Sequence, residues 1–359
     1  MNRAIRLLVL LVGLWGVAAT AQPSGTAASE DQPSPNVLQA SRTDQAARQK
    51  IQPLNNAPTW RAANSGASGF TNLPDHEGGV LIQSAGEDWR QLRNGPVTIN
   101  GGWFLVAVLL LIAAYYLWRG PIGVTGPPTG RMIERFTVIE RAVHWINAAC
   151  FVVLALSGVV LLFGKHLLLP VTGYTLFSLL ATISKTGHNF VGPLFAVTLI
   201  AMFLLYVKDN FPRAYDFTWL IKGGGLLSRK AHVPSDRFNG GEKLMFWGAL
   251  VLLGTIVAVT GFILDFPNYE QTRGQMQQAW MIHAVAAVLF IAVIMGHVYL
   301  GTIGMRGALD AMKTGYVDEA WAKEHHARWY EDIKAGKIPA QRSAQAGARA
   351  AGSATQAQG

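Results

Sequence analysis

A chain of 359 residues, half of them hydrophobic and only 14% charged, is too apolar for an ordinary soluble domain. Its formal charge of +9 is spread between apolar blocks rather than gathered in one basic patch, which sets nucleic acid aside and points to membrane orientation. The single cysteine, Cys150, excludes an internal disulfide and any cluster held by several thiolates.

In chain order, Arg3 and Arg6 precede the apolar run Leu7 to Ala19, and Ala19-Thr20-Ala21 offers small residues for cleavage. Residues 1–21 therefore read as an export signal peptide. Residues 22–100 are rich in Gln, Asn, Ser, Gly and Pro and read as an exported, largely disordered arm. Near its end, Gly86 to Pro96 carries Trp89, Arg90 and Arg93, residue types that favour a membrane surface, and reads as a short docking element.

Five hydrophobic blocks follow: Gly101–Trp118, Ala142–Phe163, Thr186–Val207, Leu244–Leu264 and Trp280–Ile303. Each is long enough to cross a hydrocarbon core of about 30 Å. An outside start places Arg119, Arg131, Arg135 and Arg141 inside, then Lys208, Arg213, Lys222, Arg229, Lys230, Arg237 and Lys243, then a tail beginning at Arg306. The outer loops keep only Lys165, Lys185 and Arg273. Every basic cluster falls on one side, as the positive-inside rule requires. The apolar stretch Thr175–Ile183 reads as an interfacial or re-entrant outer segment, because a separate crossing would invert everything after it.

Nine histidines occur, and four lie in the last four blocks: His144, His188, His283 and His297. Ionisable residues in membrane helices are costly and call for a functional explanation, although one alone is commonly a packing residue or a donor between helices. Depth distinguishes the two cases. His144 begins its helix on the inner side, and His188 and His283 begin theirs on the outer side. His297 follows His283 by fourteen residues, about four turns or 21 Å, and so lies near the inner side on the same helix face. The four fall into two layers, His144 with His297 and His188 with His283. Opposed imidazoles at one depth suit a six-coordinate b-type haem, and two layers suit two. Glycines 158, 187, 192, 254, 261, 296 and 301 would admit a flat macrocycle, though plain helix packing uses glycine too. His76, His166, His232, His325 and His326 fall outside the apolar blocks; the last two read as a surface pair in a polar tail.

Glu140-Arg141-Ala142-Val143-His144-Trp145 resembles the start of the first His-bearing helix of the formate dehydrogenase gamma subunit, a membrane cytochrome b. The likeness continues through Phe238-Asn239-Gly240-Gly241-Glu242-Lys243, Ile282-His283-Ala284, His297-Val298-Tyr299 and Trp321-Ala322-Lys323-Glu324-His325-His326-Ala327-Arg328-Trp329-Tyr330. It covers residues 131–335; the earlier part matches only longer members. The resemblance implies two haem b groups on the four histidines and a quinone pocket lined by Asn239, Gly241 and Glu242. It also implies two partners, an iron–sulfur (beta) subunit and a molybdenum- or tungsten-pterin formate-oxidising (alpha) subunit, neither of whose sites is in this chain. The same Asn-Gly-Gly-Glu run also reads as a helix entry with a capping Asn.

The expected architecture is all-α: an integral membrane four-helix di-haem bundle over residues 131–335, one additional N-terminal transmembrane helix over 101–118, and a disordered cytoplasmic tail over 336–359. The expected location is the bacterial inner membrane, with the arm periplasmic. The expected role is electron transfer from the iron–sulfur subunit through two haems to quinone. The same device serving a hydrogenase or a thiosulfate reductase is the alternative, and a haem-free anchor that relays protons is a third reading.

Overall fold

The computed structural model describes residues 84–124, 126–226 and 233–343, together with 47, 60–61, 69–70 and 80–82. The expected signal peptide, most of the arm, His76 and His232 lie outside the described residues. Residues 1–72 and 80–84 form one unit, in which Gly69–Phe70 pairs antiparallel with Val80–Ile82. Residues 85–359 belong to a second unit.

Five helices of the second unit are long and apolar enough to cross a membrane: α1 Gly86–Arg119, α2 Val138–Leu167, α3 Leu169–Asn210, α4 Gly240–Asp265 and α5 Arg273–Gly304. Local chemistry fixes where they start. Thr137 caps α2, with Thr137 N–H donating to Glu140 Oε2 at 2.8 Å and Glu140 N–H donating to Thr137 Oγ1. Thr272 and Gln275 make the same reciprocal pair at the head of α5. Large apolar side chains such as Leu117, Leu156 and Ile200 face outward, as a lipid solvent permits.

Two expectations change here. The additional helix begins well before residue 101: Ser84–Leu92 is already helical and continues through wider turns over Arg93–Asn100 around Pro96, which has no N–H for the regular ladder. The stretch Thr175–Ile183 is neither re-entrant nor a separate crossing. Gly173, at φ +71°, breaks the first turn of α3, and from Tyr174 the helix runs unbroken to Tyr206, about 50 Å against a core of about 30 Å. Thr175–Ile183 is thus the overhanging end of the helix that carries His188.

At the end of the bundle where α2 and α4 begin, a polar collar closes over the helices. Met132–Glu134 pairs antiparallel with Tyr316–Asp318. Ile133, Phe136, Tyr206, Phe238, Trp321 and Trp329 share one buried cluster. The expectation of a disordered tail from residue 336 fails over 336–343. Ala340 accepts from Glu134 N–H at 2.9 Å, Arg342 donates to Glu140 at 2.8 Å, and Ser343 N–H donates to Glu134 at 2.6 Å. Composition hid this docking because each contact spans about two hundred residues.

Candidate metal centre

The structure brings the four membrane histidines together as two pairs. His144 of α2 faces His297 of α5 with ring centroids 6.3 Å apart, and His188 of α3 faces His283 of α5 at 6.1 Å. We call these the inner and outer pairs. One helix supplies a member of each, because the fourteen-residue spacing returns to the same face.

The hydroxyl partners of the outer pair fix which ring nitrogen is free. Ser157 Oγ lies 2.8 Å from His188 Nδ1, and Thr260 Oγ1 lies 3.0 Å from His283 Nδ1. Each hydroxyl has one proton, and each donates it back along its own helix, Ser157 to Val153 O at 2.7 Å and Thr260 to Ile256 O at 2.6 Å. The oxygens therefore accept from Nδ1–H, which leaves Nε2 of both rings with its lone pair available. A hydroxyl that fixes a histidine tautomer in this way is a common support for a metal ligand. In the inner pair, His144 Nδ1 is buried without a hydrogen-bond partner among the described residues.

The spacing itself tests whether a haem fits. Metal–imidazole bonds of about 2.0–2.1 Å, with roughly 1.1 Å more from nitrogen to ring centre on each side, place two axial rings roughly 6.3 Å apart. Both pairs match that length, and two neutral imidazoles are the donor set a b-type haem takes. Among the described residues, no three or more His, Cys, Asp or Glu side chains converge as a closed non-haem site would need. Two glycines lie beside the outer rings, where an added Cβ would make ordinary contact. A Cβ on Gly158 would lie 3.6 Å from His188 Cε1, and one on Gly261 would lie 3.4 Å from His283 Cε1, whereas Gly187, Gly192, Gly296 and Gly301 have no neighbour within 4 Å of that position.

Between the pairs lies an apolar layer. Phe151, Phe195 and Phe290 contact one another with centroids 4.9 to 6.3 Å apart, and each follows its helix's first histidine by seven residues, two turns. The layer puts contacting aromatic rings between the pairs. If the hydroxyls support ligation in this way, Ser157→Ala combined with Thr260→Val lowers affinity at the outer pair by about 10–100-fold and leaves the inner pair unchanged. Haem retention on dilution in detergent, followed by absorbance, measures this.

Asn239, Gly241 and Glu242 meet at the start of α4. Asn239 Oδ1 accepts from Glu242 N–H at 3.0 Å, and Glu242 Oε2 accepts from Asn239 N–H at 2.9 Å, a reciprocal cap. Arg135 Nη2 donates to Glu242 Oε1 at 2.8 Å. A Cβ on Gly241 would meet the Trp219 ring at 2.7 Å, so the backbone passes directly under that indole. The loop is a packed, capped helix entry, whatever else it does.

His326 corrects the reading of His325-His326 as a surface pair. It is 1% exposed, faces Trp321 and Trp329, and its Nδ1 lies 2.7 Å from Asp236 O. Burial and the nearby Arg135 push its pKa down to about 3, which keeps the ring neutral. The signal was present in the sequence as the flanking Trp321 and Trp329, which no solvated tail requires.

Comparison with known proteins gives the same outline. Residues 135–315 match the family model described as prokaryotic cytochrome b561. The chain is 33% identical over 205 residues to the formate dehydrogenase cytochrome b556(fdo) subunit of Escherichia coli (strain K12), covering 56% of this chain and 93% of that protein. It is 32% identical over 208 residues to the nitrate-inducible formate dehydrogenase cytochrome b556(Fdn) subunit of the same strain, covering 57% and 93%. With the formate dehydrogenase cytochrome b556 subunit of Haemophilus influenzae it shares 27% over 212 residues, covering 57% and 85%. Five membrane-length helices, the paired histidines and a family match over half its length together place this multi-pass membrane chain in the prokaryotic cytochrome b561 family.

Proposed function

We propose that this chain is the cytochrome b subunit of a membrane-bound formate dehydrogenase, taking electrons from an iron–sulfur subunit and delivering them to quinone. The observation that carries the reading is the pair of opposed imidazole sites on α5, in a chain that covers nearly all of relatives named as formate dehydrogenase cytochrome b subunits. When bound, a haem at each pair supplies a one-electron site, and two such sites span the depth of the bilayer. The chain's own part is to hold four neutral imidazoles at two depths with the aromatic layer between them. The chain also anchors the complex, whose molybdenum- or tungsten-pterin subunit oxidises formate, in the inner membrane. Its arm is periplasmic and its C-terminus cytoplasmic, so quinone takes up protons at the inner face.

Asn239, Gly241 and Glu242 line the quinone site in this proposal, since α4 begins at the end of the bundle nearest the inner pair. Asn239→Ala removes the cap at about 0.5–2 kcal/mol and also slows quinone reduction. Glu242→Ala slows it without preventing reduction of either haem. Formate-driven quinone turnover and haem reduction, followed in one preparation of the complex, check this. Normal turnover in both variants, or parallel loss of haem and assembly, would assign the loop to helix capping alone. The wider proposal is tested by mild-detergent purification. It requires an iron–sulfur protein and a pterin enzyme in the same particle, and formate must reduce the haem there.

A further inference from the structure

The part of the chain before residue 131 lies outside the family match, yet it reaches the helix that carries both second histidines. Arg93 lies against two indoles, its guanidinium carbon 5.5 Å from the Trp89 ring centre and 5.1 Å from that of Trp280. The indoles meet edge to face at 5.7 Å. Trp280 precedes His283 by three residues, so the cluster lies on the His283 face of α5, one turn toward the outer end.

This cluster holds unused donors. Arg93 Nε and Trp89 Nε1 are both buried and have no hydrogen-bond partner among the described residues. The one acceptor near the guanidinium among those residues is Asn94 Oδ1, 3.4 Å from Nη1. Glu87 is taken by Arg90, with contacts at 2.6 and 2.7 Å, and among the described residues no carboxylate pairs with Arg93. Lys185, which precedes His188 by three residues, already donates to Asn189 Oδ1 at 2.8 Å. Arg93 is only partly buried, but a buried Nε–H and a buried indole N–H without acceptors are costly unless an acceptor satisfies them.

We propose that Arg93 and Trp89 bind a porphyrin carboxylate of the haem held by His188 and His283, which makes the N-terminal helix a working part of the outer site. The proposal rests on the two-haem reading. A haem b carries two carboxylates at one edge, and Arg93 packs on Trp280, one helical turn from His283, where it could meet one of them. Contact with two indoles set nearly at right angles restrains the guanidinium, which favours directed hydrogen bonds to a carboxylate. A cation in contact with that edge also favours the reduced haem, because reduction lowers the positive charge beside it.

The test is a redox titration of the purified complex carrying Arg93→Gln, Arg93→Lys or Trp89→Phe, followed by haem absorbance. The expected result for Arg93→Gln is a tenfold loss in the reduction equilibrium of one haem, about 59 mV for one electron, with the other haem unmoved. Arg93→Lys keeps the charge and stays close to the parent, and Trp89→Phe shifts the same haem in the same direction by less. Should Arg93→Gln shed the outer haem altogether, retention in Arg93→Lys with the Trp89→Phe shift still supports the assignment. Unmoved potentials in Arg93→Gln and Trp89→Phe, equal shifts in both haems, or Arg93→Lys behaving like Arg93→Gln would overturn it in favour of packing alone. Titrations in nanodiscs of phosphatidylcholine and of phosphate-free digalactosyldiacylglycerol separate the two anion sources: an Arg93→Gln shift that vanishes in the galactolipid assigns Arg93 to a headgroup phosphate and overturns the proposal. Failure of the two-haem reading is visible first and separately, as a parent complex that titrates with fewer than two haem components.

Discussion

Replacing His188 or His283 with alanine removes one haem and leaves the other bound, and replacing His144 or His297 removes the second and spares the first. The expected effect is all-or-none, since a six-coordinate site that keeps one imidazole also loses the geometry fixed by its partner. The outer pair has Ser157 and Thr260 on its Nδ1 atoms at 2.8 and 3.0 Å, the inner pair has the buried His144 Nδ1, and fourteen residues of α5 separate the two. α2 also reaches both pairs, through His144 and Ser157, and the phenylalanine layer lies between. Reduced-minus-oxidised spectra of the four variants resolve the components. His144→Ala and His188→Ala must abolish different ones, and loss of the same component in both would break the pairing.

Arg237→Ala produces the largest expected loss of stability. Arg237 is almost fully buried where α2 and α4 begin, and its Nη2 pairs with buried Glu140 at 2.8 Å while Nη1 pairs with Asp209. Nε and Nη2 also donate to Arg135 O at 3.0 and 2.7 Å, and the guanidinium lies 5.0 Å from the Phe136 ring centre and 5.1 Å from that of Phe238. Arg342 of the returning tail adds a second cation on Glu140 at 2.8 Å. Removing one partner of a buried pair strands the other charge, at a cost of about 3–5 kcal/mol. Replacing Glu140 and Arg237 together with apolar residues of similar size therefore costs less than Arg237→Ala alone. Thermal unfolding of the detergent-solubilised protein measures both, and an Arg237→Ala loss below about 1 kcal/mol would show that Arg342 and Arg135 suffice to hold the collar.

The contrast between these two sites explains what the sequence reveals and what it conceals. The histidine layers are legible because they follow from rise per residue, helix period and the side on which each span begins, all local properties of a membrane helix. The collar is not. Glu140 and Arg237 are 97 residues apart, Arg342 and Glu140 are 202 apart, and no period or spacing joins them. Arg93 falls between: its residue type points to a membrane surface, but its place over Trp280 depends on how α1 packs against α5. Thr175–Ile183 is ambiguous for another reason. Hydropathy locates apolar stretches but does not say where a helix ends: the break falls at Gly173, and the helix runs from Tyr174 through this stretch into the rest of α3.

One chain holding two b haems between paired histidines at two depths is the claim on which the rest depends. Haem content per chain, determined as the pyridine adduct on the purified subunit or complex alongside quantitative amino-acid analysis, tests it most directly. The expected result is two haem b per chain, falling to one in His188→Ala and to one in His144→Ala. A parent protein carrying one haem or none would contradict it.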